Sequence, residues 1–294
     1  MTTGYRALRE TAARIDLAAR GKLRVSGEDR ARLLHAMCTN DIEHLRPGQG
    51  CYAFFLNAQG RILADANILC FDDHLLIDTE PETRRKLFEH LERYIIADDV
   101  LLEDITEHLF TTAVEGPEAA QALARAGAPL PEAPYAWLQW GDRIVARIDS
   151  TGAGGFFIFH PGALPLDLNI ATPEEARLVR IENGRPRYGE EITERFLVQE
   201  TGQLRGVHFN KGCYLGQEIV ERVRSQAKIH RVLRRIEIDT KQPPPPGAKT
   251  DQAEIMSAAL SPALGKVVAM AYVRVPFSEP GTQFAFSDSL ASVH

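Results

Sequence analysis

Residues 22–37 read KLRVSGEDRARLLHAM, and residues 109–126 read LFTTAVEGPEAAQALARA. Each is a short alternating stretch, a glycine (Gly27, Gly116), an acidic residue close behind it, and then a helix-forming run. Alternation argues for a strand and the following run for a helix. Glu28 and Glu118 fall near the helix N-termini, where the macrodipole favours carboxylates, and Pro117 suits a first helical turn. Between these segments, residues 50–80 (GCYAFFLNAQGRILADANILCFDDHLLIDTE) read as three strands turned at NAQGR and FDDH. An amphipathic helix follows in PETRRKLFEHLERYI, with Leu87, Phe88, Leu91, Tyr94 and Ile95 at helical spacing. The pattern predicts an α+β fold of two related halves, each a sheet covered by helices on one side.

Further along, Thr172, Pro173 and Glu175 in TPEEARLVRIEN make a capping box for a helix over 172–183. GQEIVERVRSQAKI predicts another helix from about Leu215. Pro243–Pro246 favour a stiff extended connection on the surface. KVVAMAYVRV and TQFAFS alternate, which predicts a small β-barrel or sandwich starting near HRVLRRIEID.

The chain has 294 residues, 44% apolar and 25% charged, with a formal net charge of −6. That is an ordinary globular composition. It gives no general attraction to nucleic acid or an anionic membrane, so direct nucleic-acid binding is not expected. No apolar run approaches the roughly 20 residues of a membrane span. The first 20 residues lack a signal-type apolar core and include Glu10 and Asp16, so a cytoplasmic protein is expected. The four cysteines, Cys38, Cys51, Cys70 and Cys213, show no CxxC spacing. Cys38, Cys70 and Cys51 sit in apolar contexts and read as core. No set of His, Cys and carboxylates has metal-site spacing, so no resident metal is expected.

Cys213 differs. It lies in FNKGCYLGQE, residues 209–218, between glycines that allow close backbone approach. Lys211 and the coming helix N-terminus are the features that stabilise a thiolate. Downstream, ERVRSQAKIHRVLRR concentrates Arg222, Arg224, Lys228, His230, Arg231, Arg234 and Arg235. Arginines of this kind suit carboxylates or phosphates.

NKGCYLGQE resembles the KGC-[Y/F]-x-GQE signature of the YgfZ family, folate-binding proteins that support iron–sulfur cluster assembly or repair. ARIDLAARGKLRVSGEDRARLL, LRPGQGCYAFFLNAQGRILAD, RIENGRPRYGEEI and MSAALSPALGKVVAMAYV resemble, in order, the wider superfamily shared with the glycine-cleavage T-protein. The resemblance implies a three-lobed ring of domains around a folate channel. Its expected parts are a folate-binding α+β lobe over 1–108, a second α+β lobe carrying the motif over 109–228, and a C-terminal β-barrel over 229–294.

The resemblance also implies roles. Cys213 becomes the functional thiol, with Lys211 beside it. Asp65 in GRILADANI faces the folate nitrogen that accepts a one-carbon unit. T-proteins have two adjacent carboxylates there, and this chain has Ala64 and Asp65. Glu200 in LVQETG pairs with the pterin, since a carboxylate offers two acceptors to its N–H donors. Arg222 and Arg224 meet the folate carboxylates, including a polyglutamyl tail, and Tyr214, Gln217 and Glu218 complete the motif's folate contacts. The implied function is a tetrahydrofolate-binding accessory factor for iron–sulfur client or assembly proteins, acting indirectly on tRNA modification, rather than a turnover enzyme. One thiol cannot hold a cluster in the four-cysteine manner, so partners would supply the other ligands. The alternative is a folate-dependent aminomethyltransferase of glycine cleavage, against which Ala64 counts. A flavin-linked demethylase module is disfavoured, because no Gly-rich dinucleotide fingerprint is present.

Overall fold

In the computed structural model, residues 2–225 and 229–294 are described. The first sheet is antiparallel, in the order Gly50–Leu56, Ile62–Cys70, His74–Thr79, Gly21–Ser26, Leu101–Asp104. Helices Arg30–Met37 and Arg84–Glu92 cover one face, where Leu33, Leu34, Leu87 and Leu91 pack on Val25, Phe55, Ala64 and Ile68. The second sheet is mixed, in the order Asn169–Ala171, Ala13–Asp16, Phe110–Glu115, Gly155–His160, Arg143–Ala146, Trp137–Trp140. Only the pairing of Ala13–Asp16 with Asn169–Ala171 is parallel within it. Leu69 and Leu76 of the first sheet join Ile15, Ala113, Phe157 and Phe159 of the second in one core, so the sheets pack face to face.

The repeat expected from the two strand–glycine–helix segments is present. Gly27 has φ 101° and Gly116 has φ 123°. A Cβ at Gly27 would lie 2.1 Å from the Asp99 carbonyl oxygen, and one at Gly116 would lie 2.6 Å from that of Thr11. Only glycine makes either turn from strand to helix without strain. The predicted capping box also forms: the Thr172 hydroxyl accepts from the Glu175 amide and the Glu175 carboxylate from the Thr172 amide, ahead of helix Pro173–Glu182.

Strand pairing cuts across the expected lobe boundary at 108. Helix Thr3–Glu10 and strand Ala13–Asp16 belong with the second sheet. The KGCYLGQE segment, expected on the second lobe, packs on the first sheet instead. Tyr214 and Val220 share a cluster with Phe54, Leu56 and Ile62, and the Leu215 amide donates to the Ala36 carbonyl. Apolar side chains on the uncovered part of the first sheet need a partner, and this segment supplies it. The boundary at 228 lies outside the described residues. The C-terminal segment is a five-stranded antiparallel sheet, in the order Ala253–Ser261, Lys266–Arg274, Arg231–Ile238, Ser289–Val293, Gln283–Phe286. Its two edge strands do not pair with each other among the described residues, so it is an open sheet rather than the closed barrel expected.

One buried charge cluster ties the sheets together. Arg20 sends Nε to Asp78 Oδ1 at 2.9 Å and Nη2 to Asp78 Oδ2 at 2.8 Å, and it also pairs with Glu80. Asn67 Nδ2 adds a bond to Asp78 Oδ2 at 2.9 Å, while the guanidinium lies 5.6 Å from the Phe157 ring centroid in the second sheet. Asp78 is fully buried. Removing one partner of such a pair leaves an uncompensated buried charge. Arg20→Met is therefore expected to destabilise the fold by about 3–5 kcal/mol, read as a fall in the urea midpoint.

Candidate functional site

A cavity of about 660 Å³ opens between the two sheets. The first sheet contributes Tyr52, Asp65 and Asn67, the second Ile15, Asp16 and Phe157. Helix Pro173–Glu182 and the loop after it contribute Ala176, Arg177, Arg180, Arg185 and Arg187, and Arg205 lines it as well. Its walls are apolar at Ile15, Leu17, Phe157 and Ile170, with polar groups placed singly between them. This is the usual make-up of a small-ligand site.

Asp65 is the buried acid of this cavity, 7% exposed. Strand alternation puts it there: Ile62–Cys70 is buried on both faces, with Asp65 and Asn67 toward the cavity and Ala64 in the core under the helices. Tyr52 donates its hydroxyl to Asp65 Oδ2 at 2.6 Å, and the Thr79 hydroxyl donates to the Asp65 main-chain carbonyl at 2.7 Å. Burial pushes the carboxyl up from 3.8 to about 6, and negative Glu80 adds to the rise, while Tyr52, Arg20 and Arg187 hold it down. At neutral pH the group is a carboxylate that readily takes a proton.

The cavity is also rich in arginine, and most of these side chains already have partners. Arg180 pairs with Glu190 and Glu191, Arg177 with Glu190, and Arg187 with Glu80 and Glu82. Arg205 has no carboxylate partner among the described residues. It lies 5.1 Å from the Tyr52 ring centroid and donates from Nε to the Tyr135 hydroxyl at 3.3 Å.

Of the site residues expected from the sequence, Asp65 alone lines the cavity. Glu200 does not: Oε2 caps its own short helix by accepting from the Leu197 amide, and Oε1 pairs with Arg231 at 2.9 Å. Arg222 pairs with Glu218, and Arg224 with Glu221 while lying over the Phe209 ring. Arg235 is held by Glu237 and Arg234 by the Ser278 carbonyl. Arg222, Arg224 and Arg235 are therefore paired within their own helix and strand, while Arg231 and Arg234 are held by other segments, and Lys228 lies outside the described residues. Tyr214 is buried in the cluster under the motif, and Gln217 opens helix Gln217–Ser225.

The motif has two parts with different duties. Lys211 is 9% exposed and its ammonium donates to the carbonyls of His35, Cys38 and Asn40 at 2.5, 2.8 and 2.6 Å. It closes the C-terminal end of helix Arg30–Met37, where carbonyls lack helical partners. That is a correction to its expected role beside the thiol. Gly216 has φ 82°, and a Cβ there would lie 2.7 Å from the Asn57 carbonyl oxygen. Cys213 is exposed on this seat, whereas Cys38 and Cys70 are buried and Cys51 is half-buried.

Sequence reading missed Arg20, Tyr52, Arg187 and Arg205. The signal for Arg20 and Tyr52 was their place inside the stretches quoted for the superfamily resemblance. Arg187 carries the same signal, lying in RIENGRPRYGEEI, and nothing local marks Arg205.

Residues 1–163, more than half of the chain, match the GCVT N-terminal domain family, and the chain belongs to it. An Arabidopsis thaliana chloroplastic protein named as a transferase is 31% identical over 225 residues, 71% of this chain and 52% of that one, so the chain spans about half of that relative's length. The aminomethyltransferase of Chloroherpeton thalassium is 26% identical over 301 residues, covering 94% of this chain and 83% of that protein. The crystal structure of the glycine cleavage system aminomethyltransferase T from Bartonella henselae superposes with a TM-score of 0.85 at 22% identity, over 99% of this chain and 87% of that one, and shares the fold. No described helix is long and apolar enough to cross a membrane.

Two outcomes separate the motif's roles. Lys211→Met should lower unfolding free energy by about 2–4 kcal/mol, because buried carbonyls lose a charged donor. Cys213→Ser, at an exposed position, should stay within about 0.5 kcal/mol of wild type. Chemical denaturation of both variants checks this.

Asp65 yields a stability test with a defined sign. Its folded pKa of about 6 lies above the ordinary 3.8, so the folded chain holds this proton more tightly than the unfolded chain. Ionising Asp65 therefore costs stability fully above about pH 6, by up to about 3 kcal/mol, and the cost fades as pH falls toward 3.8. Asp65→Asn keeps an acceptor for Tyr52 without the charge. Thermal unfolding should find the variant more stable than wild type at pH 7.5 and level with it at pH 4.

Proposed function

We propose that the chain binds a tetrahydrofolate-type ligand in the inter-sheet cavity and catalyses a one-carbon transfer of the aminomethyltransferase kind. The observation that carries the reading is Asp65, a buried carboxylate with a pKa near 6 in a cavity large enough for such a ligand. Family membership and the names of the full-length relatives support it. The argument from Ala64 falls away. A carboxylate at that position would point into the helix-covered core and not into the cavity.

The residues present fit the group. Ile15, Leu17 and Phe157 offer apolar surface to a flat ring system, and Asn67, Asp65 and the arginines offer hydrogen bonds at its edges. Bound tetrahydrofolate would supply the nucleophilic nitrogen that takes up the one-carbon unit. Asp65 would accept a proton at the reacting end, and Arg205, free of any carboxylate among the described residues, suits the ligand's acidic tail. Calorimetry with tetrahydrofolate at pH 7.5, and turnover with an aminomethylated lipoyl carrier, test the reading directly. Asp65→Asn is expected to retain binding and lose about 10²–10⁴-fold in turnover. No binding by the wild-type chain would overturn the proposal.

A second reading is favoured by one observation, the exposed Cys213 seated outside the cavity. In it the chain is a YgfZ-like, cytoplasmic, folate-binding factor whose thiol meets iron–sulfur client or assembly proteins, with tRNA modification affected indirectly. Under this reading Cys213→Ser binds folate as wild type does but fails to restore iron–sulfur enzyme activities in a deletion strain, and no aminomethyl turnover is seen. Full restoration by the serine variant would remove it.

A further inference from the structure

Asp65 has two carboxylate oxygens, and the protein occupies one of them. Tyr52 reaches Oδ2 from the neighbouring strand, while no donor among the described residues reaches Oδ1. Tyr52 is not opposite Asp65 in the register. Asn67 pairs with Tyr52 and Phe54 with Asp65, so the contact is diagonal and needs the full length of a phenol. The Tyr52 ring is held on several sides. It meets Phe54 edge-on at 5.2 Å and 72°, and Arg205 lies over it. Backbone comes so close at Gly206 that a Cβ there would lie 3.0 Å from Tyr52 Cδ1 and 2.8 Å from Phe54 Cε2. Arg205 is itself fixed by Tyr135, a non-glycine residue at φ 62°, a backbone region that marks a position set by its surroundings.

We propose that Tyr52 is the positioning residue for Asp65: its clamped hydroxyl anchors Oδ2 and leaves Oδ1 as the atom that meets the ligand. The inference rests on Asp65 being the reactive carboxylate, and it adds which oxygen acts and what selects it. Donation by a hydroxyl favours the ionised carboxylate over the neutral acid. Tyr52 thus opposes the effect of burial, and without it the carboxyl would keep its proton near neutral pH and could not accept another. The charged and titratable groups facing this pair are Arg20, Glu80, Arg187 and Tyr188 around Asp65, and Arg205 and Tyr135 around Tyr52.

The test uses the full-length chain labelled with ¹³C at aspartate carboxyls, the Asp65 resonance being identified by its loss in Asp65→Asn. Tyr52→Phe keeps the ring and its packing, and should raise the Asp65 midpoint by about 1–2 pH units. A midpoint unchanged or lowered would overturn the inference. A second measurement needs no change at Tyr52: with tyrosine labelled at ¹³Cζ, one tyrosine resonance of the wild-type chain should titrate with the Asp65 midpoint and stop doing so in Asp65→Asn. If none does, the pairing is not formed in solution and the inference fails. Neither measurement contains folate. Failure here with tetrahydrofolate still bound leaves the proposed function standing, and success here without folate binding would reject only that function.

Discussion

The structure turns on the buried contact between Arg20 and Asp78. A guanidinium and a carboxylate taken out of water are tolerable only when each satisfies the other in good geometry. Here the match is two-pronged, reinforced by Asn67 and bounded by Phe157 of the facing sheet. The contact fixes how the end of the first sheet meets the second. From it a line of charges runs outward through Glu80 to Arg187 and Glu82. Arg20, Glu80 and Arg187 of that line also face the cavity, so groups that hold the sheets together set the electrostatic surroundings of Asp65.

Two candidate groups sit on different parts of the first sheet. Asp65 faces inward to the cavity, while Cys213 stands outside it on a loop seated against the same sheet. The motif's composition suggested a single device in which lysine and helix act on the thiol. The structure divides it: lysine, tyrosine and glycine build the seat, and cysteine is what the seat presents.

What was legible in the sequence follows from what is local. The strand–glycine–helix repeat, the capping box at Thr172 and the burial of Cys38 and Cys70 each depend on neighbouring residues, and each is found as read. Asp65 was legible through its resemblance to a known stretch. The position of strand Ala13–Asp16 was not, because pairing with residues about 100 positions away leaves no mark on its own alternation. Glu200 and the arginines misled for a related reason. A charged residue in sequence is a donor or acceptor without a direction, and the nearest opposite charge took each one before any ligand could.

Strand Ile62–Cys70 has a mechanical consequence. It is buried on both sides, with Ala64 pressed by the helix layer and Asp65 exposed to the cavity one residue later. A backbone bond joins the two, so the strand acts as a beam loaded from both faces. Extra volume pushed in at Ala64 cannot be absorbed by side-chain motion in a close-packed interior and must be passed on as backbone displacement. The helix layer, which never touches the cavity, thereby sets the depth at which the carboxylate stands.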